Sequence, residues 1–395
     1  MNNKNARLLP WLLAVAMSIF ALPAIAADED GDGISDAVEN SVGLDPSVAQ
    51  GGMMMIQADG AFTRDRPTMV MDSAGNYHIA YAITDEGIEI DSSMPANTMQ
   101  VAYMMLDADG NVLIDETQLL DTGLSLRVNT HLAVTSADTV VLVYTDRSAK
   151  DLYYIHIDPS ADDQNGDAAT PATIKAVSET MIDAGTWANL QVAVDSSNII
   201  HAWGQDGQYM SFETDTTVVT ASTNPWATAS PNKNGHGNSV MALDGDGNVH
   251  VVFQDCTLNN CGVSYGMLDG ADGSVLIEGT PLYNAGDLID EPHASQYNLM
   301  IDSTGLVNIV WRDKRGTVDA TSYCDYCGSG GITWFARIDP SLDDQDGSVA
   351  DMSVIKVVDD VEIGTLLYFS AFMDANDTIH LFEHSHNGLD HMAIN

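Results

Sequence analysis

Met69-Val-Met-Asp-Ser-Ala-Gly-Asn-Tyr-His-Ile-Ala-Tyr81 sets the pattern for most of the chain: an apolar run stops at Asp72, turns through Gly75-Asn76, and resumes with His78 and Tyr81. Apolar alternation on both sides of a short Gly-Asn turn spells a β-hairpin. The same phrase returns along the sequence. Leu132 to Thr135 leads to Val141 and Tyr144, Val192 to Asp195 leads to His201 and Trp203, and Met241 to Asp244 leads to His250 and Phe253. Met300 to Asp302 then leads to Asn308 and Trp311, and Phe372 to Asp374 leads to His380 and Phe382. The anchors fall at positions 72, 135, 195, 244, 302 and 374, and each interval leaves room for four short strands. Units that cannot bury their apolar faces alone must stack. The fold expected is all-β, a six-bladed β-propeller of four-stranded blades over residues 51–395.

A longer repeat overlies this one. Ile157-Asp-Pro-Ser160, Asp163-Gln164 and Ile174-Lys175 recur at one constant offset as Ile338-Asp-Pro-Ser341, Asp344-Gln345 and Ile355-Lys356. Tyr103, Met105 and Leu106 likewise match Tyr265, Met267 and Leu268. Three blades have been duplicated on this reading, which gives six by a second route. The last unit runs out at about three strands. Met53 to Ala58 is therefore expected to supply its outer strand, closing the ring and leaving no free sheet edge.

Asp+Glu number 57 against Lys+Arg 14, a net charge of −43. Nucleic acid is excluded as a partner, because binding a polyphosphate needs clustered Lys and Arg, and an anionic membrane surface is disfavoured for the same reason. With 45% hydrophobic residues the chain has a globular composition, so the acidity belongs to a folded surface. Met1 to Ala26 reads as a secretory signal: Lys4 and Arg7 open it, Trp11 to Leu22 is apolar, and Ala24-Ile25-Ala26 forms a small-residue cleavage site. The apolar stretch is short for a bilayer span. A soluble monomer without membrane insertion is expected, secreted or periplasmic. In such an oxidising compartment Cys256, Cys261, Cys324 and Cys327 would form disulfides, although Cys-x4-Cys with Cys-x2-Cys also fits a four-thiolate zinc site.

Residues 27–50 have no strand pattern. Asp28-Glu-Asp30-Gly-Asp32-Gly33-Ile34-Ser-Asp36-Ala-Val-Glu39 places oxygen donors at positions one, three, five, seven, nine and twelve of a twelve-residue loop, with Gly at six. Calcium takes six to eight hard oxygens in that arrangement. Asp28, Asp30, Asp32, the Ile34 carbonyl, Asp36 and Glu39 are the expected ligands, against a solvated acidic linker as the alternative. With Val42-Gly43-Leu44-Asp45-Pro46 the segment resembles thrombospondin type 3 repeats. Other Asp-Gly turns, such as Asp107-x-Asp109-Gly110, Asp244-x-Asp246-Gly247 and Asp343-Asp344-x-Asp346-Gly347, are explained by hairpin chemistry without metal. The recurring His78, His201, His250 and His380 are read as structural, each bonding across to the next strand, because a radial array would not converge them on one ion.

Strand alternation assigns the loops to two faces. One collects the Asp turns. The other collects the inter-blade loops and the loops between second and third strands, and with them Arg64, Arg66, Arg127, His131, Arg147, Trp187, His293, Arg312 and Arg315. These are the candidate ligand contacts, since paired guanidinium groups suit a carboxylate. Neighbouring Asp residues, as in Arg64-Asp65 or Arg312-Asp313, offer the alternative of local ion pairs.

Repeats of the form Asp-Ser-x-Gly-Asn-x-His followed by an aromatic resemble the secreted bacterial six-bladed propellers of sialidase-like architecture. The Asp-box Ser-x-Asp-x-Gly-x-Thr-Trp of those enzymes is absent, and Arg66-Pro67 matches their opening Arg-x-Pro only in part. Export, a calcium loop and a repeat scaffold without a catalytic set point to a calcium-binding module for a glycan or surface protein. The alternative is a carbohydrate-active enzyme, a hydrolase or a lyase, with His131 or His293 as base beside Arg127.

Overall fold

Val249-His-Val-Val-Phe253 shows how the sheets must stack. Val249, Val251 and Phe253 pack with Trp203, Tyr209 and Trp226 in one cluster, while Val252 joins Tyr297, Trp311 and Ala336 in another. A strand apolar on both faces lies between two other sheets, and each period-two alternation feeds two inter-blade cores.

The computed structural model describes residues 62–85, 99–120, 129–146, 150–184, 187, 190–204, 207–226, 239–255, 262–282, 295–313, 332–364, 369–374, 376–385 and 388–394. Blade 1 holds β1 (Phe62–Met71), β2 (Tyr77–Asp85), β3 (Met99–Leu106) and β4 (Val112–Gln118). Blade 2 holds β5 (Asn129–Val134), β6 (Val140–Asp146), β7 (Asp151–Ile157) and β8 (Lys175–Asp183). Blade 3 holds β9 (Gln191–Val194), β10 (Ile199–Trp203), β11 (Tyr209–Glu213) and β12 (Val218–Thr223). Blade 4 holds β13 (Ser239–Leu243), β14 (Val249–Asp255), β15 (Gly262–Leu268) and β16 (Val275–Pro281). Blade 5 holds β17 (Ser295–Ile301), β18 (Val307–Asp313), β19 (Ile332–Ile338) and β20 (Lys356–Gly364), and blade 6 holds β21 (Phe369–Met373), β22 (Ile379–Ser385) and β23 (Gly388–Ile394). Each sheet is an antiparallel meander in chain order. First strands touch the first strands of the next blade, from β1 against β5 to β17 against β21, so they are the innermost. This is the arrangement of a β-propeller. Among the described residues blade 6 has three strands, and Met53 to Ala58 lies outside them. No helix among the described residues is long and apolar enough to cross a membrane.

The turn after each inner strand follows one design. Its fourth residue, Gly75, Asp138, Asn198, Gly247, Gly305 or Asp377, has φ between 57 and 88°. Only Gly, Asn and Asp enter that left-handed region readily, which explains the choice of residue at all six turns. Where Asp or Asn stands there, its side chain also reaches the preceding blade. Asp138 accepts from Ser73 N (2.9 Å) and Ser73 Oγ (2.6 Å), Asp377 accepts from Ser303 in the same way, and Asn198 Oδ1 accepts from Ser136 N (2.8 Å).

The duplication read from the sequence is present in the backbone. Asp158 and Asp339 cap the 3₁₀ turns Pro159–Ala161 and Pro340–Leu342. Gln164 and Gln345 share a positive φ (51° and 52°), as do Gly166 and Gly347 (90° and 84°). Short helices α1 (Pro171–Ile174) and α2 (Met352–Ile355) follow, and Lys175 Nζ and Lys356 Nζ donate to the Leu119 and Leu282 carbonyls of the preceding blade.

Gly266 on β15 lies beneath the buried Trp226 indole, and a Cβ there would overlap the ring. Gly266→Ala is expected to cost about 1–3 kcal/mol through overpacking, read as a lower midpoint in guanidinium unfolding. An unchanged midpoint would show that the indole is not held in place.

Candidate functional site

Three of the recurring histidines, His78, His201 and His250, are buried in hydrogen-bonded relays, whereas His380 is half-buried and lies 3.2 Å from Asp374 Oδ2. His78 Nε2 lies 3.3 Å from Asp72 Oδ2, and its Nδ1 lies 2.8 Å from Tyr103 Oη on the next strand. An ionised carboxylate only accepts, so Nε2 carries the proton and Nδ1 accepts from the tyrosine. His250 repeats this with Asp244 (3.2 Å) and Tyr265 (2.8 Å), and His201 with Tyr209 (2.9 Å) and, more loosely, Asp195 (3.6 Å). Burial lowers the pKa of His78 and His201 below the ordinary histidine value, against the pull of their aspartates, so these rings are neutral. Burial pushes Tyr209 up to about 12. Blade 5 replaces the pair by Asn308, whose Oδ1 accepts from Arg337 Nε (2.6 Å). The sequence showed the histidines but not the tyrosines. Their signal was there, since Tyr103, Tyr209 and Tyr265 each stand two residues from the position paired with the histidine.

The Asp-turn carboxylates are already engaged. Asp244 Oδ1 accepts from the Asp246 and Asn248 amides, and Oδ2 from Asn248 Nδ2 and His250. Burial alone would raise this carboxyl, but bonds from His250 and Asn248 hold it at about 2. Asp107 makes the same bonds with Asp109 and Asn111. Turn geometry consumes these oxygens, and among the described residues no group of three or more His, Cys, Asp or Glu side chains converges on a common point.

Of the remaining candidates, three lie at the opposite face. Arg64 and Arg66 lie in the first half of β1, and Arg312 lies near the end of β18 with a partly buried side chain. Antiparallel alternation puts all three at the end of their strands away from the Asp turns. Trp187 corrects the sequence reading: it is fully buried between blades 2 and 3, with its indole N–H donated to Asp183 (2.8 Å), and it has no ring face to offer a ligand. Its size and the space over Gly204 make it a packing residue. Arg127, Arg147, His293 and Arg315 lie outside the described residues, as do the calcium-loop residues Asp28 to Glu39 and the four cysteines.

One inner-strand position stands out. Four residues before the turn residue the axial strands carry Thr68, His131, Gln191, Val240, Asn298 and Ser370. Gln191 Oε1 accepts from Met241 N (2.6 Å) and Asn298 Oδ1 from Ala371 N (3.4 Å), so this position can staple one inner strand to the next. His131 does not. The residue is half-buried, its ring has no hydrogen-bond partner among the described residues, and burial lowers its pKa to about 4. A neutral imidazole with no partner among the described residues thus sits on β5, the neighbour of the strand that carries Arg64 and Arg66.

No protein-family model matches the chain, and no curated protein matches it. Among solved structures it is similar to the hydrazine synthase of Kuenenia stuttgartiensis, with 12% identity over 85% of this chain and 79% of that one and a TM-score of 0.47. It is also similar to the polysaccharide lyase Uly1, with 8% identity over 83% and 89% and a TM-score of 0.45. The Dos1 propeller shows 10% identity over 85% and 96% and a TM-score of 0.41.

In the unfolded chain His131 titrates near its ordinary value of ~6.5, whereas in the folded protein it protonates only at about 4. Its neutral form therefore supports stability above pH ~6.5, and that support is lost as the pH falls towards 4. His131→Gln, which copies the residue of blade 3, is expected to lose less melting temperature between pH 7 and pH 5 than the parent protein. Equal losses would mean that the ring is not held neutral.

Proposed function

We propose that the protein is a secreted, calcium-binding, six-bladed propeller that acts as a binding or adhesion module for a glycan or surface protein, through the face bearing Arg64, Arg66, His131 and Arg312. The observation that supports it is His131: at a position where Gln191 and Asn298 bond the neighbouring strand, this ring bonds none of the described residues, which leaves its donor and acceptor for a ligand. A neutral imidazole can donate to one sugar hydroxyl and accept from another, and guanidinium groups on β1 suit a ligand carboxylate. The depressed pKa also disfavours His131 as the base of a lyase, leaving that alternative to His293. A general base works best with a pKa near the operating pH, and a group at about 4 has little affinity for a proton at neutrality.

Uronate-rich and sialylated polysaccharides, incubated with the protein in calcium or in EDTA, test this reading. Retention without released sugar is expected, reduced about ten-fold or more by His131→Ala and further by Arg66→Ala. Released reducing ends or unsaturated sugars would make it an enzyme, and retention indifferent to both substitutions would place the site elsewhere. For the N-terminal loop, Asp32→Ala is expected to abolish calcium binding with a Kd of roughly 0.1 to 1 mM in titration calorimetry. A titration unchanged by that substitution would leave the loop a linker.

A further inference from the structure

The two duplicated blades share a backbone and differ at their rims. Leu342, Val349, Val354, Val357 and Val361 of blade 5 are large, apolar and 46 to 58% exposed, all within the single stretch that forms its 3₁₀ turn, α2 and β20. The matching positions of blade 2 are Ala161, Ala168, Thr173, Ala176 and Thr180. The two segments share the Asp cap of the 3₁₀ turn, positive-φ residues and bulge positions, so the fold does not require large apolar residues there. One exchange runs the other way, with exposed Met181 in blade 2 where blade 5 has Glu362. Five exposed aliphatic side chains gathered in one blade are unlike the scattered apolar residues of an ordinary surface and mark an interaction site.

Charge selects the occupant. Asp343, Asp344, Asp346, Asp351 and Asp359 are interspersed with these side chains, and the whole chain carries a net charge of −43. A second copy would bring the same charge to the same surface, which opposes self-association. We propose that the outer rim of blade 5 docks a cationic polypeptide segment whose apolar side chains alternate with Lys or Arg. The valines and the leucine receive its apolar side chains while the aspartates face its basic ones. This surface is built from the outer strand of blade 5 and the segment that leads into it, and is separate from the inner-strand position of His131.

The probes are a synthetic peptide of alternating Leu and Lys and a Ser-Lys peptide of equal charge, titrated into the full chain at physiological ionic strength. The decisive variant combines Leu342→Ala, Val349→Ala, Val354→Thr, Val357→Ala and Val361→Thr. It keeps every charge and introduces only residues that blade 2 carries on the same backbone, so its thermal midpoint should stay close to that of the parent. The Leu-Lys peptide is expected to bind the parent about ten-fold or more tightly than the variant, while the Ser-Lys peptide binds both alike. The reciprocal variant, Ala161→Leu with Ala168→Val, Thr173→Val, Ala176→Val and Thr180→Val, also needs Asn165→Asp, Thr170→Asp and Ser178→Asp, because blade 2 lacks three of the five aspartates, and with them it is expected to raise the stoichiometry from one peptide to two. Equal affinity of parent and variant for the Leu-Lys peptide would overturn the proposal, as would a reciprocal variant that still binds one. A parent that sediments as a dimer, and a variant that does not, would assign the surface to a second copy and overturn it as well.

Discussion

The structure depends on what one carboxylate does at the end of each inner strand. Asp72 and its counterparts Asp195, Asp244, Asp302 and Asp374 turn the chain by accepting the amide two residues on, and accept again from the amide four residues on. Their second oxygen faces the histidine or asparagine six places along, 3.2 to 3.6 Å away. One side chain therefore fixes the turn, sets the register of the hairpin and satisfies a polar group that burial would otherwise penalise. Blade 2 shows the constraint by departing from it. Thr135 replaces the aspartate, Val141 replaces the histidine, and Thr139 pairs with Thr135 and His156 instead. Without a carboxylate the buried slot turns apolar and the polar partner moves one strand outward.

This also explains how a chain so acidic folds. Many of its aspartates are structural acceptors, held below the usual carboxylate range by backbone and side-chain donors at Asp72, Asp107, Asp302 and Asp374. Negative charge is then stabilised locally by N–H dipoles and does not rely on scarce basic residues. Those basic residues are left for other tasks: two lysines pin carbonyls between blades, Arg337 bonds the asparagine that stands in the histidine slot of blade 5, and arginines lie at the ends of strands on the opposite face.

The fold was legible because its signals are local and repeated. The Asp-turn-His-aromatic phrase marked the first two strands of each sheet, and the constant offset between the two Ile-Asp-Pro-Ser segments marked the shared insertion of blades 2 and 5, both of which rest on spacing alone. The site was less legible. Trp187 stands in a stretch between strands that reads as a surface loop, yet it is a core side chain, because nothing local shows that Gly204 leaves room beneath it. The tyrosines beside the histidines were hidden for a related reason: their partners lie across a strand pair, well separated along the chain. His131 could be named from sequence, but its lack of a partner among the described residues shows only by comparison with Gln191 and Asn298 around the axis.

The serine-to-aspartate bonds between successive turns carry a consequence for cooperativity. Each joins a turn only to that of the following blade, as do the lysine bonds and the apolar clusters shared by adjacent sheets. Coupling of this kind is nearest-neighbour, so the described blades behave as a one-dimensional array in which order spreads from any nucleus one unit at a time. A lesion in one turn would then fray the array outward from that blade, and partial unfolding would advance in steps of whole sheets.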